Sequence, residues 1–258
     1  MLFLDGVRRI DARIWVHGSD PQPAPGIAAS FAAGLVCCDG AARIVDATVG
    51  RGLFTAAPTA ADIVTPRATY PVRSATGGSL DELSLALQQR LADAEVGLAI
   101  DFRAKHAIGD DLLVVDGPLR GRTHLPRTVG YIKTHHSAYL PAPQAAVVGA
   151  LAPGQRTPVF TMGTSWMRRA WYLRLPGASG APWSGVVRLE CSADLSAPDA
   201  VRLAAITATV LPPLASAPHK DPRAPQNLVP IGGLERELRH RLGDAQLLYR
   251  TLRSAATA

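Results

Sequence analysis

Cysteine is scarce. Three occur in 258 residues, two of them adjacent (Cys37, Cys38) and the third far away (Cys191), which gives neither a disulfide framework nor a zinc-ligand spacing. All three are expected simply to pack. Long apolar runs are missing too: none approaches the roughly 18 residues of a membrane helix, and no basic segment followed by an apolar core and cleavage site opens the chain. A cytoplasmic location with no membrane contact is the expectation. The sequence also has no Gly-x-Ser-x-Gly elbow, phosphate-binding loop or Cys/His nucleophile arrangement, so hydrolases built on those devices are disfavoured. No internal repeat or low-complexity block stands out beyond a bias to alanine.

What is present describes a folded chain. Apolar residues make up 47% and charged residues 19%, a balance unlike that of disordered proteins. The length allows one large α/β domain or two small ones. The formal charge is +6 and the pI near 9.6. Arginine supplies most of that charge, and its planar fork suits phosphate, so a polyanionic partner fits. High arginine with high alanine fits the composition of a GC-rich genome equally well.

The most informative stretch is Leu112 to Arg122, LLVVDGPLRGR. Its apolar run has no polar alternation, which predicts a strand buried on both faces. It ends in Asp116 and Gly117, ahead of a loop with Arg120 and Arg122. The pattern occurs once more, at Leu2-Phe3-Leu4-Asp5-Gly6. A carboxylate at the end of such a strand stands where a sheet opens to solvent. Two of them side by side share protons or hold a divalent cation. Asp before Gly is also a common turn.

Around these motifs the chain reads as a scaffold. Residues 1–17 form a strand, 19–26 (SDPQPAPG) a loop, and Ser30–Cys38 and Arg43–Phe54 two strands joined at Asp39-Gly40, a hairpin signal. Met1 stands just ahead of Asp5, so the chain would begin almost inside the core, and an upstream segment or a different start is expected. A further strand is expected around 63–72. Ser79-Leu80-Asp81-Glu82 is a capping box, and Leu80, Leu83, Leu87, Leu91, Ala94 and Leu98 follow at helical spacing, predicting a helix over 79–104 that lies on the sheet. Glu95 falls on the flank of that apolar stripe, able to lean into the sheet or out to water. Strands follow at Thr128–Lys133, Pro158–Met162, Trp171–Leu175 and Val186–Cys191, and helices at Ser196–Leu211 and Leu234–Leu252. The adjacent His135 and His136 would point to opposite faces of a strand and are not expected to chelate together. Tyr131, Tyr139, Trp166 and Trp171 either stack on bases or pack in the core.

A strand with an aspartate, two antiparallel strands, a helix with a glutamate and a strand ending in an aspartate is an order that resembles the ribonuclease H-like α/β fold, a mixed central sheet flanked by helices. Within that fold, LFLDGV and LVVDGP resemble the motifs of the NurA family of DNA-end-processing nucleases, which have the form apolar-apolar-Asp-Gly-Ser. The serine is absent from both here. A lysine on the strand after the second motif of that family is matched by Lys133 in VGYIKTHH. The family's proline-rich stretch with a metal-site histidine is similar to Leu211-Pro212-Pro213-Leu214 followed by His219. The resemblance implies a single domain over 1–258. Its first half (1–122) carries the Asp5 and Asp116 strands and the 79–104 helix, and its second half (123–258) carries further strands and the C-terminal helices.

The resemblance implies chemistry as well. Asp5, Glu95, Asp116 and His219 would be catalytic and would ligate metal, Asp5 bridging two Mn²⁺ or Mg²⁺ ions roughly 4 Å apart. Asp101 competes with Glu95, and Asp221 with His219, for the same positions. Hard oxygen donors with one imidazole suit these ions better than zinc. Arg120, Arg122, Lys133 and Arg223 would bind phosphates. The implied activity is metal-dependent processing of DNA ends by a homodimer working with a HerA-like hexameric translocase. The competing expectation is a binding module of the same ribonuclease H or PIWI-like fold, which holds nucleic acid without cutting it.

Overall fold

The apolar run ahead of Asp116 is a strand buried on both faces, as its lack of polar alternation predicts: Leu113, Val114 and Val115 are fully buried. The structure is a computed structural model that describes residues 1–18, 22–106, 111–135, 137–177 and 180–256. Its strands are β1 (Leu2–Val16), β2 (Ala24–Asp39), β3 (Ala41–Thr55), the short β4 (Ile63–Val64), β5 (Thr69–Tyr70) and β6 (Val72–Ser74), then β7 (Leu113–Asp116), β8 (Thr128–Ile132), β9 (Phe160–Gly163), β10 (Met167–Arg174) and β11 (Val186–Ser192). The helices are α1 (Leu80–His106), α2 (Ala142–Gly149), α3 (Ala197–Val210), α4 (Val229–Arg241) and α5 (Ala245–Ala255). One sheet runs in the order β6-β3-β2-β1-β7-β8-β11-β10-β9. It is mixed: β1 with β7, β7 with β8 and β3 with β6 are parallel, whereas β8, β11, β10 and β9 pair antiparallel in turn. This is the α/β architecture expected from the sequence, a large mixed sheet with helices. Among the described residues no helix is long and apolar enough to cross a membrane.

The chain divides into two compact units. The first comprises residues 1–4, 36–43 and 107–233. In it Leu2, Phe3 and Leu4 run parallel to Leu113, Val114 and Val115, with Leu4 opposite Val115. Helix α3 is capped by Ser196, whose Oγ accepts from the Asp199 N–H at 3.2 Å. Trp171 on β10 is fully buried and its indole N–H donates to Thr207 of α3 at 3.1 Å.

The second unit comprises residues 5–35, 44–106 and 234–258. Helix α1 begins at the capping box read from the sequence: the Ser79 hydroxyl and N–H both donate to Glu82 Oε2, at 2.6 and 3.0 Å. A core of Ala12, Ala28, Leu53, Tyr70 and Leu252 is packed under a buried polar knot. There Asp11 accepts from Ser30 Oγ at 2.5 Å, Tyr70 Oη at 3.1 Å and Arg9 Nε at 2.7 Å.

That knot sets an alkaline limit on stability. Burial, then the charge of Asp11 and its hydrogen bond, push the Tyr70 phenol from 10 up to about 12. Between these values the unfolded chain loses the phenolic proton first, so stability falls as pH rises through the window, by about 3 kcal/mol in all. Urea unfolding of Tyr70→Phe is expected to lack this part of the decline between pH 10 and 12; identical slopes in the two proteins would refute it.

Four local readings need correction. Strand β2 starts at Ala24 rather than Ser30, because Ile27, Ala28 and Ala29 are buried and draw the chain into the sheet despite Pro25; residues 19–21 of the expected loop lie outside the described residues. Pro66 and Pro71 break the expected 63–72 strand into the small hairpin β4–β5 and the edge strand β6, since proline cannot donate to a ladder. The terminal helix is two helices, interrupted at Gly243 (φ 82°) and restarted by Asp244, whose carboxylate accepts from the Leu247 N–H at 2.7 Å. Helix α2 was not anticipated.

Candidate metal centre

The two Asp-Gly motifs do different structural work. At Gly117 the backbone takes φ 94°, a left-handed value that favours glycine, and its N–H donates to Tyr131 O at 2.9 Å as β7 ends. Gly6 is no turn, because β1 continues to Val16. Its missing side chain makes room for α1: a Cβ there would lie 2.5 Å from Glu95 Oε1 and 2.7 Å from Leu91 Cδ1. The reading of Asp5 as the end of a strand is therefore corrected, while its burial, 7% exposed, is as expected.

In the first unit, Asp116 heads a polar relay. Lys133, just past β8, donates from Nζ to Asp116 Oδ2 at 2.6 Å and to Asn227 Oδ1 at 3.0 Å. Buried Asn227 in turn donates from Nδ2 to Asp221 Oδ2 at 2.6 Å, and the Arg223 N–H donates to Asp221 Oδ1 at 2.7 Å. Burial would raise the Asp221 carboxyl, but the hydrogen bonds from Asn227 and Arg223 outweigh it and hold the group below its ordinary range. Beneath Asp116, the fully buried Tyr131 donates to Gln226 O at 2.6 Å. Burial and then the Asp116 charge push its phenol well up.

The loop that leaves Asp116 is anchored by a residue the sequence did not single out. Glu190 on β11, fully buried, accepts from the Leu119 N–H at 2.8 Å. Its other oxygen faces Arg168 Nε at 3.0 Å and Arg188 at 3.7 Å. Burial raises this carboxyl above its ordinary value, against the pull of the Leu119 N–H and the two arginines.

In the second unit, Asp5 follows Leu4 and its Oδ1 accepts from the Gly6 N–H at 2.7 Å. Glu95 is buried on α1, so its place on the flank of the apolar stripe turns it inward. Helix α4 brings Glu235, 9% exposed, beside Leu234 and Leu238. Those leucines press on Gly34 of β2, where a Cβ would lie 2.8 Å from Leu234 Cδ1 and 3.0 Å from Leu238 Cδ2.

Because Leu4 and Val115 are register partners, the next residue on each strand is an aspartate. Oxygens of Asp5, Asp116 and Glu235 lie within 4.8 Å of one another. Three carboxylates so close repel one another unless positive charge joins them; Lys133 supplies one such charge at Asp116, and the all-oxygen donor set fits a hard divalent ion. Glu235 was missed by sequence reading, although it adjoins Leu234 and lies one turn before Leu238, the same position beside an apolar stripe that drew notice to Glu95.

The other expected residues lie elsewhere. Among the described residues, Glu95, His219 and Asp221 are not in this group of three: Glu95 meets β1 at Gly6, His219 is exposed on a turn, and Asp221 belongs to the relay. Asp101 is exposed on α1. Arg120 and Arg223 are exposed on loops of the first unit, and Arg122 closes a turn through its N–H to Leu119 O at 2.7 Å. His136 lies outside the described residues, and the ring of His135 packs against Tyr172 and Trp183.

No family model and no curated protein matches the sequence. Among solved structures, the chain is similar to the NurA nuclease from Sulfolobus solfataricus, with a TM-score of 0.54 at 10% identity over 98% of this chain and 84% of that one. At that identity the likeness is one of fold: this chain has a NurA-like α/β fold.

Proposed function

We propose that the chain is a metal-dependent deoxyribonuclease that hydrolyses phosphodiester bonds at DNA ends, with Mn²⁺ or Mg²⁺ held by Asp5, Asp116 and Glu235. The observation that carries this reading is the cluster of three carboxylates within 4.8 Å, in a chain whose fold is similar to that of a nuclease. Bound there, the cation supplies charge that activates water and stabilises the leaving oxygen. The chain's own groups do the rest. Lys133, held by Asp116 and Asn227, adds positive charge toward the phosphate oxygens. Arg120, Arg122 and Arg223 hold flanking phosphates. A ligand role for His219 requires its turn to close on the metal when DNA is bound. The same reading includes a cytoplasmic homodimer that works with a HerA-like hexameric translocase, supported by the fold likeness and by the motifs around Asp5 and Asp116.

The test is cleavage of labelled single- and double-stranded DNA with Mn²⁺, Mg²⁺ or EDTA, with and without such a translocase. Cutting that needs the metal is the expected result. Binding without cutting under every condition would replace the nuclease with a binding module of the same fold.

A further inference from the structure

The first unit treats in two ways the four aromatic residues that either stack on bases or pack in the core. Tyr131 and Trp171 are fully buried and hydrogen-bonded to Gln226 O and Thr207, so they belong to the core. Tyr139, 37% exposed in the segment between β8 and α2, and Trp166, half-buried in the turn between β9 and β10, stand at the surface. Both rings lie against one guanidinium: Arg168 Cζ is 4.7 Å from the Trp166 centroid and 5.7 Å from that of Tyr139. A second, that of Arg188, is 4.8 Å from the Tyr139 centroid. These arginines are buried and both face the Glu190 carboxylate. Because they are buried and Tyr139 is not, they take the inner side of its ring and leave the outer side to solvent. Arg168 Nη1 also donates to Thr164 Oγ1 and Trp166 O, both at 3.2 Å, which fixes the turn that carries Trp166.

Two flat rings are thus held in place, on charge, before any ligand arrives, which lowers the ordering cost of binding to them. Two guanidiniums share one carboxylate, so the ground beneath the rings keeps positive charge, in a chain whose formal charge is +6. A rigid π surface on positive ground selects a flat π ligand that carries negative charge close by, and an unpaired base in a phosphodiester strand has both. Aromatic faces take bases of any identity in this way, with arginine adding to the stack, whereas a paired base keeps its faces inside the duplex. We propose that Tyr139 and Trp166 form a stacking platform for unpaired bases of a DNA strand. Glu190, which holds the two arginines, also accepts from the Leu119 N–H in the loop that carries Arg120 and Arg122. One buried carboxylate therefore fixes both the rings and the loop whose arginines hold phosphates in the nuclease reading. From that reading the proposal takes only the identity of the strand.

The experiment measures binding, so it does not depend on cutting. Two fluorescein-labelled strands of equal length and charge, an oligothymidylate and one built of abasic units, are titrated by anisotropy in EDTA over a series of salt concentrations. Wild type is expected to prefer the strand with bases. Tyr139→Ala and Trp166→Ala should each weaken that strand about tenfold and leave the abasic strand as in wild type. The slope of log affinity against log salt, which reports phosphate contacts, should not move, and Trp166→Phe should restore most of the loss. Tryptophan emission supplies a second readout, since a base on the Trp166 ring quenches it: the quench by unlabelled oligothymidylate should vanish in Trp166→Phe and persist in Trp15→Phe, which removes the 64% exposed tryptophan of the second unit. Ring variants that bind oligothymidylate like wild type, an equal loss on both strands, or no DNA binding by the wild type would overturn the platform. Unaltered abasic binding also shows that the alanine variants are folded. If the rings govern binding but no metal produces cutting, the nuclease reading fails and the platform stands; if the protein cuts while the ring variants bind like wild type, the reverse holds.

Discussion

Asp116→Asn lowers metal-dependent DNA cutting by about a thousandfold or more, a loss of about 4 kcal/mol of transition-state stabilisation, and leaves the protein folded. The substitution keeps the shape at the end of β7 but removes one of three charges that would hold the cation, and an amide oxygen is a poorer donor to a hard ion. It also takes the carboxylate away from Lys133, whose Nζ donates to Asp116 at 2.6 Å. Folding survives because the fully buried Leu113, Val114 and Val115 hold the strand, not its last residue. Asp5→Asn, on the register-matched strand, is expected to behave alike. Single-turnover cleavage in Mn²⁺, run beside thermal unfolding of the same preparations, checks both. Activity within tenfold of wild type in either variant would remove the carboxylate group from the chemistry.

The largest effect on stability is expected at Glu190. Glu190→Gln keeps an acceptor for the Leu119 N–H but leaves Arg168, 3% exposed, and Arg188, 6% exposed, without the carboxylate that faces them. Removing one side of a buried ion pair costs about 3–5 kcal/mol, because the remaining charge stays desolvated. Part is recovered on aromatic faces: Arg168 lies 4.7 Å from the Trp166 ring centroid and Arg188 4.8 Å from that of Tyr139, interactions worth about 0.5–1 kcal/mol each where exposed and more when dry. In urea the midpoint should fall steeply while the denaturant slope stays constant. Adding Arg168→Met to Glu190→Gln should return some of the loss, whereas independent, additive losses would show that the two side chains do not form one unit. The Leu119 backbone is tied to Glu190, so the loop after Asp116 should loosen as the pair is broken.

What the sequence made legible was mostly local. Capping by Ser79 and Glu82, the hairpin glycine at position 40 and the uninterrupted apolar run before Asp116 act within a few residues, and each stands in the structure where its chemistry puts it. Asp5 and Asp116 were found for the same reason, since a charged residue that closes an apolar strand leaves a local mark. Glu235 left a weaker one. Its helix was read as a leucine stripe, and its burial depends on how closely α4 approaches a strand two hundred residues earlier in the chain's order, something that no window of sequence contains. The pairing of β3 with β6, and the relay from Lys133 through Asn227 to Asp221, are likewise products of tertiary placement. Asp221 looked like a metal donor from its neighbours in sequence, and its oxygens proved to be occupied by Asn227 and Arg223.

The hydrogen atom that serves as the side chain of Gly34 governs how near Leu234 and Leu238 come to the sheet, and Glu235 travels with them. A methyl group at that point acts as a shim, lifting the helix and withdrawing an acid from its two companions without altering any functional group. In a saturation screen scored by activity, position 34 would then sort with the acids, although it has no chemistry of its own. Anyone grafting the three acids onto another sheet would have to graft this thinness along with them.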